Sequence, residues 1–241
     1  MPQRVWADLP DTIDKVKPSV VIVGFYRSTD TPRFGMRGTG FAVGNGHLIA
    51  TNAHVVQTRP DEAADRSLVV QVSVGGRQWQ MRSATVVELD AAHDLALLKI
   101  DGAALPTLEL EDGDAAREGQ AVAMMGFPIG GALGFSPVTH RAMISSITPI
   151  SLPAANGQQL SPKVIRSLRA GTFNIFQLDG TAYPGNSGGP LFDTGTGAVL
   201  GVVNMVFVKG TKESVLTHPS GISYAIPSIY VRDLVRRHVG G

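Results

Sequence analysis

An all-β fold, either a barrel or a sandwich, is what the sequence predicts. Its apolar runs are short and rich in β-branched residues. Glycine and proline punctuate it throughout, with 28 Gly and 15 Pro in 241 residues. Only two segments read as helical, and no internal repeat of solenoid period is present.

In chain order, the first helical segment is a single turn over 11–16. The strands that follow are SVVIVGFY (19–26), GTGFAVG (38–44), HLIATNAHVV (47–56), SLVVQVSV (67–74), ATVVELD (84–90) and LALLKI (95–100). After a gap come AVAMMGF (121–127), AMISSITPI (142–150), TFNIFQLD (172–179), AVLGVVNMVFV (198–208) and GISYAIP (221–227). The run after Pro190, LFDTGTGAVLGVV, reads as strand, turn, strand. The second helix covers 228–238, where Ile229, Val231, Leu234 and Val235 form an apolar face after Pro227. Arg232, Arg236 and Arg237 gather towards its end and suit a helix C-terminus, and the segment is expected to cap a barrel. The longest loops are 27–37, 57–67, 151–171 and 209–220.

Composition removes several function classes. The chain is 43% hydrophobic, enough for a core, and 17% charged. Its 21 basic and 20 acidic side chains nearly cancel, so no nucleic-acid or membrane surface is expected. With no cysteine there is no disulfide scaffold, thiol nucleophile or cysteine-based metal site. His47, His93, His218 and His238 show no metal-ligand spacing, so neither metal nor cofactor is expected. The longest apolar stretch, 198–208, falls short of the ~20 residues a membrane helix needs. The first residues carry Asp and Lys where a signal peptide has an apolar centre, which fits a cytoplasmic protein or the mature form of an exported one.

One segment invites chemistry: Pro184-Gly185-Asn186-Ser187-Gly188-Gly189-Pro190. A serine that attacks a carbonyl needs close backbone approach and N–H groups facing the developing oxyanion, and glycines allow both. The bland alternative is a glycine-rich hairpin whose serine only caps it. The stretch also fits G-x-S-x-G, but strand rather than helix follows it, and too little chain remains for a downstream Asp and His; the α/β-hydrolase reading fails. The base must lie upstream. His54, where the run 50–56 ends, is placed at a strand end to act as one; its alternative is a core histidine. Asp94 stands directly before the run 95–100 and is the acid; its alternative is a turn residue. Asp90 is the rival acid, followed by Ala-Ala-His instead of a strand.

The order His54, Asp94, Ser187 is that of chymotrypsin-type enzymes. Here the chain resembles the trypsin-like serine proteases, and most closely the protease domain of the HtrA/Deg family. The residues that carry the resemblance are Gly38-Thr39-Gly40-Phe41, Thr51-Asn52-Ala53-His54-Val55-Val56, Asp94-Leu95-Ala96-Leu97-Leu98-Lys99-Ile100, Gly185-Asn186-Ser187-Gly188-Gly189-Pro190-Leu191 and Ala225-Ile226-Pro227. The resemblance implies one protease domain over 1–241, made of two six-stranded antiparallel β-barrels. The first would cover about 18–105 and the second about 120–227, with the terminal helices outside them and the site between. The chain ends a dozen residues after Pro227, so no PDZ domain is expected; the 151–171 loop is long for the family, and His140 is read as a surface residue.

The implied function is a serine endopeptidase. His54, Asp94 and Ser187 would form the triad, and the turn Gly185-Asn186-Ser187 the oxyanion hole, through the N–H groups of Gly185 and Ser187. Thr181, six residues before the nucleophile, would sit at the base of the specificity pocket, with Asn204, Met205 and Val206 as its wall. A neutral, narrow pocket favours small or medium aliphatic residues, loosely. Phe173, Phe176, Tyr183 and Phe207 are read as core residues rather than cleft lining. Partners would be peptides or unfolded proteins, bound as an added strand. Trp6 would pack on the barrel or anchor a trimer, so monomer and trimer both stand. The rival readings are a latent or non-catalytic peptide-binding module using the same cleft, and an esterase.

Overall fold

The structure is a computed structural model that describes residues 8–57, 65–76, 78–111, 116–128, 135–150, 173–204 and 222–240. Each predicted run contains a strand among the described residues. β1 (Val20–Tyr26), β2 (Phe34–Val43), β3 (Leu48–Asn52), β4 (Ser67–Ser73), β5 (Trp79–Asp90) and β6 (Leu95–Ile100) close one barrel in the order β1-β2-β3-β6-β5-β4. β7 (Ala121–Gly126), β8 (Val138–Ile150), β9 (Phe173–Asp179), β10 (Pro190–Asp193), β11 (Val199–Asn204) and β12 (Ile222–Pro227) close a second. Its order, β7-β8-β9-β12-β11-β10, repeats the first with every number raised by six. All pairs are antiparallel, and closure leaves neither sheet with a free edge. Register shifts at Val23/Gly24, Val86/Glu88, Ile144/Ser146 and Leu191/Phe192 supply the local bends that coil the sheets into barrels.

The core explains why the strands read as unbroken apolar runs. Val21, Val23, Ile49, Val70, Ala96 and Leu98 fill the first barrel. Val122, Met124, Ile144, Phe176, Leu178 and Val203 fill the second. The alternate residues of the same strands, among them Val20, Ile22, Leu48, Leu95, Leu97, Met125 and Val202, join a third cluster with Phe127, Phe192 and Ile226 of the second barrel. Both faces of these strands are therefore buried, and period-two alternation of polarity disappears.

Two helices fasten the barrels from outside. α1 (Leu9–Val16) is capped by the Asp8 side chain, has Pro10 in its first turn and buries Val16. Thr12 Oγ1 and Lys15 Nζ donate to the carbonyls of Thr194 and Thr196 in the β10–β11 turn. The C-terminal helix, Ser228–Gly240, buries Val231 and Leu234 and lies against β5, β6, β11 and β12. It spans the junction of the two barrels instead of capping one. Ser228 Oγ and Arg232 Nη2 both donate to the Glu111 carbonyl in the inter-barrel connection. No helix among the described residues is long and apolar enough to cross a membrane.

Candidate active site

His54 does not end a strand. β3 stops at Asn52, and Ala53–Val56 form a one-turn helix, α2. The cause is a contact from far along the chain. The Asp94 carbonyl accepts Ala53 N–H at 3.0 Å and Asn52 Nδ2 at 3.1 Å, and Asp94 Oδ1 accepts His54 N–H at 2.9 Å. The two backbone bonds, from Ala53 and His54, take N–H donors that a continuing strand would have used in pairing. Asp94 is the one non-glycine residue among those described with positive φ, at 53°. Aspartate tolerates this left-handed conformation better than most residues. It ends the turn that begins at Asp90, whose strand partner is Leu95.

The Asp94 carboxylate is nearly saturated. Besides Oδ1, its Oδ2 lies 2.6 Å from His54 Nδ1 and accepts Asn204 Nδ2 at 2.7 Å. The side chains of His54 and Asp94 remain 29% and 20% exposed. A carboxylate only accepts, so Nδ1 must carry the ring hydrogen, and the lone pair of a neutral ring falls on Nε2. Asn204, expected in the pocket wall, is fully buried at the end of β11, and its side chain turns to Asp94.

Ser187 is the second residue of the latter of two consecutive tight turns. Asn186 N–H donates to the Tyr183 carbonyl at 2.9 Å, and Gly189 N–H to the Asn186 carbonyl at 3.0 Å. Each turn carries a glycine of positive φ at its third position, Gly185 at 104° and Gly188 at 86°, which is the type II requirement. Side chains are excluded there for a second reason. A Cβ on Gly185 would strike the Phe127 carbonyl, and one on Gly188 the Thr39 carbonyl and Thr51 hydroxyl. The turns belong to the second barrel but are held by the first. Thr39 N–H donates to the Ser187 carbonyl at 2.8 Å. Thr39 Oγ1 donates to the Gly185 carbonyl at 2.7 Å and accepts Phe127 N–H at 3.2 Å. Thr51 Oγ1 in turn donates to the Thr39 carbonyl at 2.7 Å. On the other side, Gly188 N–H donates to the Val203 carbonyl at 2.9 Å, one residue before Asn204.

The Asn186 side chain is buried against Gly126, so this residue offers the turn its backbone and not its amide. Thr181 is half-buried in a segment pinned to β12, where Ser223 Oγ accepts Ala182 N–H and donates to the Gly180 carbonyl. Met205, Val206, Phe207, Trp6 and the 151–171 and 209–220 loops lie outside the described residues. Phe176 is core; Phe173 and Tyr183 are half-buried. His140 departs from its surface reading. Its Nε2 is buried, its ring lies 5.8 Å from that of Tyr183, and burial pulls its pKa below the ordinary histidine value. No three His, Asp or Glu side chains among the described residues converge as metal ligands. Thr39 is the site residue that sequence reasoning missed, since it stood inside a quoted motif without a role. Asn204 was named for the pocket wall, and its bond to Asp94 was hidden in an apolar run.

The family model of the trypsin-like peptidase domain matches residues 38–202. The chain is 35% identical over 191 residues to a probable periplasmic serine endoprotease DegP-like of Halomonas elongata, covering 79% of this chain and 32% of that protein. It is 33% identical over 207 residues to the mitochondrial serine protease HTRA2 of Drosophila pseudoobscura pseudoobscura, covering 86% and 40%. The chain thus spans well under half the length of these curated relatives. Among solved structures, the active form of the Rv3671c protease from M. tuberculosis superposes with a TM-score of 0.66 at 25% identity, over 93% of this chain and 82% of that one.

Proposed function

The chain belongs to the trypsin-like peptidase family, and on that premise we propose that it is a serine endopeptidase of the HtrA type working through His54, Asp94 and Ser187. A hydroxyl is a poor nucleophile near neutral pH, so Ser187 needs a base. His54 takes its proton at Nε2 and later returns it to the leaving amine. Asp94 holds Nδ1, fixes the tautomer and stabilises the imidazolium formed in between. The N–H groups of Gly185 and Ser187 receive the oxyanion, and losing one such donor costs about 10²–10³ in turnover. The single observation that carries this reading is the 2.6 Å contact between His54 Nδ1 and an Asp94 carboxylate already fixed by His54 N–H and Asn204.

The substrates are extended segments of unfolded proteins, cut after small or medium aliphatic residues. Thr181 supports the second statement, because a hydroxyl at the base of the pocket offers no charge to select Lys or Arg. The test is digestion of unfolded casein by wild type and Ser187→Ala, with the cut sites mapped by mass spectrometry. Cleavage by wild type alone, after residues such as Ala or Val, is the expected result. Cuts after Lys or Arg would overturn the specificity and leave the triad standing. Binding of casein without cleavage by wild type would replace the enzyme with a peptide-binding module.

A further inference from the structure

The residue before Asp94 belongs to a second His–Asp pair that the reaction above does not use. His93 Nδ1 lies 2.8 Å from Asp90 Oδ2. Asp90 Oδ1 accepts the N–H groups of Ala92 and His93, each at 3.1 Å. The His93 ring stacks on Tyr230 of the C-terminal helix, with centroids 3.9 Å apart and planes 19° apart. It meets Phe173, the first residue of β9, edge-on at 4.6 Å. Phe173 and Tyr230 also touch each other edge-on at 5.6 Å, so the three rings close on themselves. Arg237 of the same helix reaches within 3.6 Å of Asp90 Oδ2. Burial alone would raise the Asp90 pKa, but the His93 hydrogen bond and charge, its N–H and Arg237 outweigh that and hold it below the ordinary value.

This arrangement leaves the peptide between His93 and Asp94 little freedom. The His93 N–H is fixed by one carboxylate oxygen, and its ring by the other oxygen and two aromatic rings. On the far side, Leu95 is fixed by β-pairing with Asn52 and Asp90. Asp94 sits between these two anchors at φ 53°, a conformation that L-residues adopt rarely. Its carboxylate direction follows from that backbone.

We propose that His93 is a positioning residue: its pairing with Asp90, clamped by Tyr230 and Phe173, holds Asp94 in its left-handed conformation and so aims the carboxylate at His54. The inference rests on the peptidase reading, and the experiment separates the two. His93→Phe keeps the aromatic stack and removes the bond to Asp90; His93→Asn puts an amide donor near the place of Nδ1. Each variant is compared with wild type and Ser187→Ala for kcat, KM, melting temperature and the far-downfield proton resonance of the His54–Asp94 bond. His93→Phe is expected to lower kcat roughly tenfold or more with little change in KM, since small misplacement of a catalytic group is costly. It should also shift or broaden the resonance, and His93→Asn should recover much of both. Wild-type kcat and an unmoved resonance in His93→Phe would overturn the proposal. So would a loss of kcat that follows only the folded fraction while the resonance stays. Peptide cleavage by Ser187→Ala at the wild-type rate would sink the peptidase reading instead, and the resonance would still decide the role of His93.

Discussion

Replacing Thr39 by valine tests how the Ser187 turn is held. The two side chains have nearly the same shape, so the change removes a hydroxyl and opens no cavity. That hydroxyl donates to the Gly185 carbonyl at 2.7 Å and accepts Phe127 N–H at 3.2 Å, at a residue with no exposure. Each buried group left unpaired costs about 1–3 kcal/mol, so the pair should cost about 2–4 kcal/mol, the longer bond contributing less. In a chain of this size that lowers the melting temperature by roughly 5–15 °C. Turnover should fall as well. The Gly185 carbonyl shares a peptide plane with Asn186 N–H, which closes the turn on the Tyr183 carbonyl; a loosened plane slackens the turn that holds Gly185 N–H and forfeits part of the ~10²–10³ that an oxyanion donor supplies. Thr39→Ser keeps the hydroxyl and loses one methyl, so it should cost about 1 kcal/mol and leave turnover close to wild type. Calorimetric melts and single-turnover cleavage of a peptide report both effects. A Thr39→Val protein that melts and cleaves like wild type would refute the reasoning.

Three further outcomes are expected. Asp94→Asn should lower kcat by about 10⁴, because an amide can face Nδ1 as a donor and so favour the wrong tautomer; steady-state kinetics on a folded sample reads it. Gly188→Ala should destabilise by at least about 2 kcal/mol, since it combines φ 86° with a Cβ driven into Thr39 and Thr51; a denaturant titration measures this. At Asp193, burial raises the carboxyl pKa, but bonds from Gln120, Thr196 and Gly195 hold it below the ordinary value. A depressed folded pKa gives stability that is present above the unfolded value and is lost as pH falls through the folded one. The melting-temperature gap between wild type and Asp193→Asn should therefore be full at neutral pH and close below about pH 4.

The strands were readable because most of the β-branched runs end at Gly, Pro or Asp. Their assignment to barrel interior or barrel interface was not, because both faces of β1, β3, β6 and β7 are buried and the pattern reads the same on each. The number and pairing of strands came from the resemblance instead. α2 was missed because nothing in Asn52-Ala53-His54-Val55-Val56 breaks a strand; the break is made by Asp94, 40 residues on. The bond from Asn204 to Asp94 was hidden for the same reason, since the two are 110 residues apart and the neighbours of Asn204 are apolar. His54, Asp94 and Ser187 stood out because chemistry demands those side chains and glycine demands its turns. Thr39 acts mainly through backbone groups of other residues, and no side-chain pattern advertises that.

The hydrogen bonds from Thr39 to the Ser187 turn and from Asn204 to Asp94 run in opposite directions across the barrel junction. During synthesis the six strands of the first barrel, with His54 and Asp94, leave the ribosome before the serine turn does. Under the peptidase reading this half carries the base and the acid without the nucleophile. Under the proposed function, cutting power arises only when β11 arrives and both sets of bonds form, so the nascent chain is protected from itself by the order in which it is made.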